Sequence, residues 1–129
     1  MSKPLTDLER FFSALADTTR LRILGLLLAG EVCVCHIHES LRIPQPKASR
    51  HLAYLRRAGL VAARKDGLWV HYRLADTSDP LLATIRQAVI HALGQTEAWR
   101  RDANRLYQKT GCCMPAPPGP PGLMIDSPR

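Results

Sequence analysis

The succession of elements predicted between residues 35 and 74 constrains the fold of this chain most. A short helix leads into the turn Ile43-Pro44-Gln45, and a second helix begins at Pro46 and ends at Gly59. The strand-like runs that follow flank Lys65-Asp66-Gly67, and Asp-Gly between two such runs is the strongest short hairpin signal. Helix, tight turn, helix and hairpin in series predict a winged helix-turn-helix.

Helical patterns lie on both sides of this segment. Apolar residues recur at helical spacing over residues 5–15, and Asp17 suits the N-cap of a second helix that Gly30 ends. A further helix begins at Asp79-Pro80, and the helical pattern resumes past Gly94 to about Lys109. We therefore predict a mainly α fold with a β-hairpin wing, an α+β winged helix-turn-helix.

The composition divides the chain near residue 110. Residues 1–110 form one predicted domain, whereas residues 111–129 begin with a Cys-Cys pair and include six prolines, which favours a flexible or extended tail. No apolar run approaches the roughly 20 residues of a membrane-spanning helix, and the N-terminus lacks the features of a secretory signal. We therefore expect a cytoplasmic protein with reduced thiols and no membrane partner.

The positive charge is concentrated in one quarter of the chain. The net charge is +7, and residues 42–74 alone contain eight basic residues against the single acid Asp66. Such a one-signed segment is typical of a phosphate-binding surface and predicts double-stranded DNA as the partner.

The predicted second helix of the helix-turn-helix presents a polar stripe opposite its apolar one. Positions at helical spacing predict base-reading side chains: Lys47, Arg50, His51 and Tyr54, with Gln45 at the helix start. A second group is expected to contact the phosphate backbone: Ser49, Arg56 and Arg57 on the helix, and Arg64 and Lys65 at the wing tip.

Two cysteines lie at the predicted start of the first of these helices. On a helix, residues i and i+2 point about 200° apart, but in an extended segment they share a side. Cys33 and Cys35 can therefore face one ion if Cys33 is still extended. A helix N-terminus also lowers a thiol pKa, which favours metal binding. His38 follows Cys35 by one helical turn and is a possible further ligand.

The segments ALADTTRLRILGLL, EVCVCHIHESL and IPQPKASRHLAYLRRAGLVAARKDGLWVHYRL resemble the ArsR/SmtB family of metalloregulatory repressors, specifically its arsenical-responsive branch. The resemblance covers about residues 8–75. It implies a homodimeric winged-helix repressor, dimerised mainly through its first and last helices, that releases operator DNA when its inducer binds. It also implies that Cys33 and Cys35, with a third cysteine three residues later, bind trivalent arsenic or antimony.

This chain departs from that pattern because the third position is His38. Trivalent arsenic is soft and prefers sulfur to imidazole. Either two thiolates hold a monomethylated trivalent arsenical, or Cys112 or Cys113 from the same or the partner subunit completes a three-thiolate site. Our hypothesis is that Cys33 and Cys35 bind arsenite, antimonite or methylarsenite together with a C-terminal cysteine.

Two alternatives remain open. Cys33, Cys35 and His38 form a mixed sulfur and nitrogen set that suits zinc or cadmium. The Cys112-Cys113 pair suits a thiol redox sensor, because an exposed thiol pair is a liability unless it is used. An enzyme is not expected, since the sequence lacks a phosphate-cradling glycine loop and a paired catalytic acid and base. No organic cofactor is expected either.

Overall fold

A computed structural model describes residues 4–110, which form six α-helices and three β-strands. The helices are α1 (Leu5–Leu15), α2 (Thr18–Leu26), α3 (Val34–Leu41), α4 (Gln45–Arg57), α5 (Pro80–Leu93) and α6 (Glu97–Thr110). The strands are β1 (Val32–Cys33), β2 (Val61–Asp66) and β3 (Trp69–Leu74). None of the helices within this range is long and apolar enough to cross a membrane. The predicted tail, including Cys112 and Cys113, lies outside the described residues.

The wing is a three-stranded antiparallel sheet in the order β1-β3-β2, so it contains one strand more than the predicted hairpin. Cys33 pairs with His71, which ties the segment before α3 to the wing. The hairpin turn also lies one residue later than predicted, because Asp66 pairs with Trp69. The loop is therefore Gly67-Leu68, with Gly67 at a φ of 63° in the left-handed region that glycine tolerates.

Side-chain caps define two helix starts where the sequence predicts them. The Asp17 carboxylate accepts a hydrogen bond from the Arg20 amide at 3.0 Å, and Asp79 accepts one from the Leu81 amide at 3.0 Å. The helix that Asp17 caps is shorter than predicted, because residues 27–29 tighten into a 3₁₀ turn before Gly30. The Gly25 carbonyl near that end accepts a hydrogen bond from the Trp99 indole at 3.0 Å.

The core lies where α2, α3, α4 and α6 meet the base of the wing, and it is mainly aliphatic. From α4 it receives Ala48, Leu52 and Leu55, the predicted inward stripe, and all three are fully buried. From α1 it receives Phe11 and Ala14, whereas Leu5 and Phe12 of the same helix remain exposed. No residue of α5 is fully buried. An apolar surface of α1 and α5 is thus left uncovered in one protomer.

Candidate nucleic-acid interface and thiol site

The buried stripe of α4 determines which of its side chains reach solvent. Because one side of the helix is held in the core, the opposite side must be exposed. The exposed members of the predicted DNA-binding set are Gln45, Lys47, Arg50, Arg56 and Arg57, and Ser49 is half-buried. Lys47, Arg50, Arg56 and Arg57 make the exposed surface of α4 basic, directly after the α3–α4 turn.

Two predicted base readers on α4 turn towards α2 instead. The His51 ring nitrogen Nδ1 lies 3.3 Å from a guanidinium nitrogen of Arg20 and 3.9 Å from a carboxylate oxygen of Asp17. Burial lowers the pKa of His51, and the carboxylate of Asp17 partly opposes that effect. The Arg20 guanidinium also lies over the Tyr54 ring, 4.1 Å from its centroid. Both rings are half-buried.

Arg20 is a structural residue that the sequence patterns did not indicate. Its guanidinium donates hydrogen bonds to the Ala14 carbonyl at 2.9 Å and the Ser13 carbonyl at 3.0 Å. It therefore joins the end of α1 to the inner edge of α4. Residue spacing within α4 could not predict this contact, because Arg20 belongs to α2 whereas His51 and Tyr54 belong to α4.

The wing presents a different surface from the predicted basic tip. Arg64 is engaged with Glu31 through three donor–acceptor contacts of 2.7–3.2 Å. The same pairing raises the pKa of Arg64 and lowers that of Glu31. Lys65 is exposed, but the tip itself consists of Gly67 and Leu68, the latter 94% exposed. The end of the wing thus offers a lysine and an apolar tip, with Arg64 tied to Glu31 before β1.

The two cysteines meet at the start of α3. Cys33 is the N-cap residue, with extended backbone angles of φ −69° and ψ 144°, and Cys35 lies in the first turn. Their sulfur atoms are 3.2 Å apart. The prediction that an extended Cys33 lets both thiols share a side is confirmed. Cys33 is buried at 8% exposure and Cys35 is half-buried.

The expected lowering of the thiol pKa is wrong for Cys35. Burial raises the pKa of Cys35, and the neighbouring Cys33 and the charge of Glu39 raise it further. A hydrogen bond from the His36 backbone acts in the opposite direction but is outweighed. The helix N-terminus therefore does not hold this cysteine as a thiolate, because the side chain packs against the core.

His38, the possible further ligand, does not join the pair. His38 places its ring nitrogen Nδ1 3.2 Å from the Ile43 carbonyl oxygen, in the α3–α4 turn. Within residues 4–110, no three histidine, cysteine or acidic side chains come close enough together to hold a metal ion. Cys33, Cys35 and His38 are thus not gathered into a three-ligand site. Cys112 and Cys113 lie outside this range.

Comparison with known proteins agrees with this architecture. Residues 17–63, from the cap of α2 into β2, match the family "Bacterial regulatory protein, arsR family". Over 98 residues, 75% of this chain and 76% of the relative, the chain is 55% identical to the arsenical resistance operon repressor of Escherichia coli (strain K12). The chain belongs to the ArsR family.

Further similarities extend over most of this ArsR-family chain. It is 48% identical over 102 residues to the arsenic resistance transcriptional regulator ArsR2 of Pseudomonas putida, covering 78% of this chain and 86% of the relative. A homodimeric winged helix-turn-helix DNA-binding domain of a possible ArsR-family regulator from Mycobacterium bovis matches with a TM-score of 0.58 and 33% identity, over 72% of this chain and 87% of that domain. The predicted family and fold class are confirmed, and the chain is a DNA-binding transcriptional regulator.

Proposed function

We propose that this protein is a homodimeric repressor that releases operator DNA when trivalent arsenic or antimony binds to its cysteine thiols. The observation that carries the proposal is the pair of sulfurs, 3.2 Å apart, at the start of the helix that leads into the basic surface of α4. The arsenical repressors among its relatives support the same inducer class.

The uncovered apolar surface of α1 and α5 supports a second copy of this chain as the dimer partner. Leu5 and Leu81 are 79% and 59% exposed, and α5 also contains buried nitrogen atoms of Arg86 and His91 that find no hydrogen-bond partner within residues 4–110. A dimer through these helices presents two copies of α4. Successive major grooves require them about 34–36 Å apart.

The two sulfurs lie close enough for one atom to bond both. An all-sulfur donor pair suits soft elements such as trivalent arsenic and antimony.

Neutral thiols are suitable partners for arsenite. Arsenous acid is itself neutral, and each Cys–SH that bonds to arsenic gives its proton to an arsenic hydroxyl group, which leaves as water. No net proton is released, so the raised pKa of Cys35 does not oppose the exchange. A divalent cation must instead displace the proton of each thiol into solvent, and its binding weakens as the pH falls.

The course of α6 supports a C-terminal cysteine as the third ligand. Arg105 donates a hydrogen bond to the Ser40 carbonyl near the end of α3, and Lys109 pairs with Glu39 at 3.7 Å, so the second half of α6 lies beside the end of α3. Glu39 is one turn, about 6 Å, from Cys35. Cys112 and Cys113 follow this end of α6 in the sequence, which is why we choose them as candidates for the third ligand.

Operator release by arsenite tests the proposal. We expect Cys33→Ser/Cys35→Ser and Cys112→Ser/Cys113→Ser to bind DNA as tightly as wild type but to lose the response, while His38→Ala keeps it as the matched control. Loss in the first double variant alone would leave a two-thiol site. A full response in the first double variant, or a wild-type response to zinc or peroxide but not to arsenite, would overturn the proposal.

The pH dependence of release separates the two inducer classes. Between about pH 6 and 8, below the ordinary thiol pKa of about 8.5, we expect the half-maximal arsenite concentration to stay constant. Zinc, if it acted through the same thiols, would become weaker with each step towards acid, because the raised pKa of Cys35 keeps its proton bound. Titrating labelled operator release at several pH values gives the comparison.

A further inference from the structure

The ion pair between Glu31 and Arg64 has the geometry of an arginine–phosphate contact. Arg64 Nε lies 3.0 and 3.2 Å from the two carboxylate oxygens of Glu31, and a terminal guanidinium nitrogen lies 2.7 Å from one of them. Arginine uses the same edge, with two parallel donors, to bind phosphate groups. The Glu31 carboxylate therefore occupies the place that a phosphate oxygen pair takes in such a contact.

The strand register explains why Glu31 reaches this arginine. In the sheet order β1-β3-β2, Cys33 pairs with His71 and His71 pairs with Arg64. Glu31 lies directly before β1, so its contact with Arg64 crosses β3. Hydrogen bonds from Arg64 lower the pKa of Glu31 against the effect of desolvation, and the charges of Arg64, His71 and Arg73 act in the same direction. The carboxylate thus lies among basic groups of the wing.

The pair lies at the surface, where its partners can be exchanged. The side chains of Arg64 and Glu31 are 52% and 30% exposed, and an ion pair in water is held weakly. A phosphate of duplex DNA attracts a guanidinium more strongly than a single carboxylate does, because neighbouring phosphates add to the field and counterions are released on contact. Arg64 is therefore available to DNA at the cost of its internal partner.

The location of Arg64 makes DNA the competing partner. β2 follows α4 after a short turn, and the exposed Lys65 is the next residue. Residues 42–74 carry eight basic residues and one acid, whereas Glu31 comes from outside this segment. It brings a negative charge to the wing of a DNA-binding protein, where a charge of this sign opposes the approach of DNA.

We propose that Glu31 is an internal substitute for a DNA phosphate, which holds Arg64 in the free protein and is replaced by a backbone phosphate when the wing meets DNA. Breaking the ion pair offsets part of the new contact, so Glu31 lowers the affinity for DNA. Phosphate contacts carry no sequence information, and a weaker contribution from them leaves a larger share of the affinity to the base contacts of α4. The inference needs DNA binding only and is independent of the inducer.

A double-mutant cycle on full-length protein tests the exchange. The probe is a fluorescein-labelled duplex that the wild type selects from random sequence, and its Kd is measured by anisotropy. We expect Glu31→Gln, which keeps the shape of the side chain without its charge, to tighten binding by about 2–5-fold for each wing. In an Arg64→Gln background the same substitution should change the Kd by less than about twofold.

Two further variants separate the ion pair from general repulsion. Glu31→Asp keeps the negative charge but withdraws the carboxylate by one methylene group, so it should also tighten binding, and it serves if Glu31→Gln does not fold. The matched control is Glu39→Gln, which neutralises an exposed acid on α3 that pairs with Lys109 at 3.7 Å. Its Kd should remain within about twofold of wild type.

The salt dependence of the Kd distinguishes an exchanged pair from a permanent one. If Arg64 moves to a phosphate, Arg64→Gln lowers the slope of log Kd against log salt by about 0.9 for each wing. Glu31→Gln should keep the wild-type slope, because Arg64 reaches DNA in both proteins. A permanent pair gives the opposite result: an unchanged slope in Arg64→Gln and a steeper one in Glu31→Gln.

Four outcomes would overturn the proposal. They are the slopes of a permanent pair, weaker DNA binding by Glu31→Gln, equal tightening by Glu31→Gln with and without Arg64, and tightening by Glu39→Gln as large as that by Glu31→Gln. None of these measurements contains arsenite. Loss of the proposed arsenic response would therefore leave the exchange intact, and failure of the exchange would leave the arsenic response intact.

Discussion

α4 and α5 both have an apolar stripe at helical spacing, but the two stripes are buried to different extents within this chain. Ala48, Leu52 and Leu55 of α4 are fully buried within one protomer. Leu81 of α5 is 59% exposed, and α5 has no fully buried residue. The difference is one of packing partners: α4 lies on α2, α3 and the wing, whereas α5 packs mainly on α2.

This difference shows which contacts fix the orientation of each helix. Because the core of a single chain fixes which side of α4 is exposed, the basic residues of α4 face solvent without a second chain. α5 is only partly buried by its own chain, so in the proposed dimer a second copy covers the rest and the spacing of two α4 helices becomes a property of that dimer. Four experiments test this division, beginning with the largest expected effect.

Leu52→Ala should destabilise the protomer by about 2–5 kcal/mol, because it opens a cavity in the packed core. Leu81→Ala is the matched truncation on α5 and should change the unfolding free energy of the monomeric protein much less. Urea unfolding followed by circular dichroism, at a concentration low enough to dissociate dimers, measures both. Equal losses would show that α5 is buried within the protomer after all.

Leu81→Glu should disrupt the dimer, because a carboxylate then lies in an apolar interface. The monomer binds one half-site at a time, so we expect operator affinity to fall by about 100-fold. Sedimentation equilibrium and gel shift on the same protein provide the measurement. Lys47→Glu, on the exposed surface of α4, is the control that loses DNA but remains dimeric. A dimeric Leu81→Glu would place the interface elsewhere.

Arg50→Ala should weaken operator binding by about 1–3 kcal/mol and leave the fold intact, as expected for a side chain that reaches DNA. His51→Ala, the next residue, should instead lower stability more than affinity, because its ring packs against Arg20. Fluorescence anisotropy measures the operator affinity of both variants, and urea unfolding measures their stability. Together the two measurements distinguish the exposed side of α4 from its inner side. The reverse pattern would mean that α4 presents its other side to DNA.

The pH dependence of stability should show the smallest effect. Burial lowers the pKa of His51, so the folded state binds its proton less readily than the unfolded state does. The free energy of unfolding should therefore fall as the pH drops below the ordinary histidine pKa of about 6.5. His51→Gln should flatten this slope in urea titrations, and an unchanged slope would assign it to another histidine.

Local sequence patterns were enough to predict much of the fold and part of the candidate site. The apolar stripe of α4 and the caps at Asp17 and Asp79 depend on residues a few positions apart, and the structure has them as predicted. The thiol pair was also predictable, because an extended residue before a helix places i and i+2 on one side. β1 was not, since a strand of two residues has no periodicity and exists only through its pairing with β3.

By itself, the sequence determined the succession of helix, turn, helix and hairpin, the location of the basic charge and the family, because each of these depends on residue type and spacing along the chain. Only the tertiary structure decided that Arg20 holds His51, that burial raises the pKa of Cys35 and that Asp102 meets Arg22. These three results depend on contacts between different helices or on depth in the core. Residues 80 positions apart in the chain become neighbours only when the helices pack.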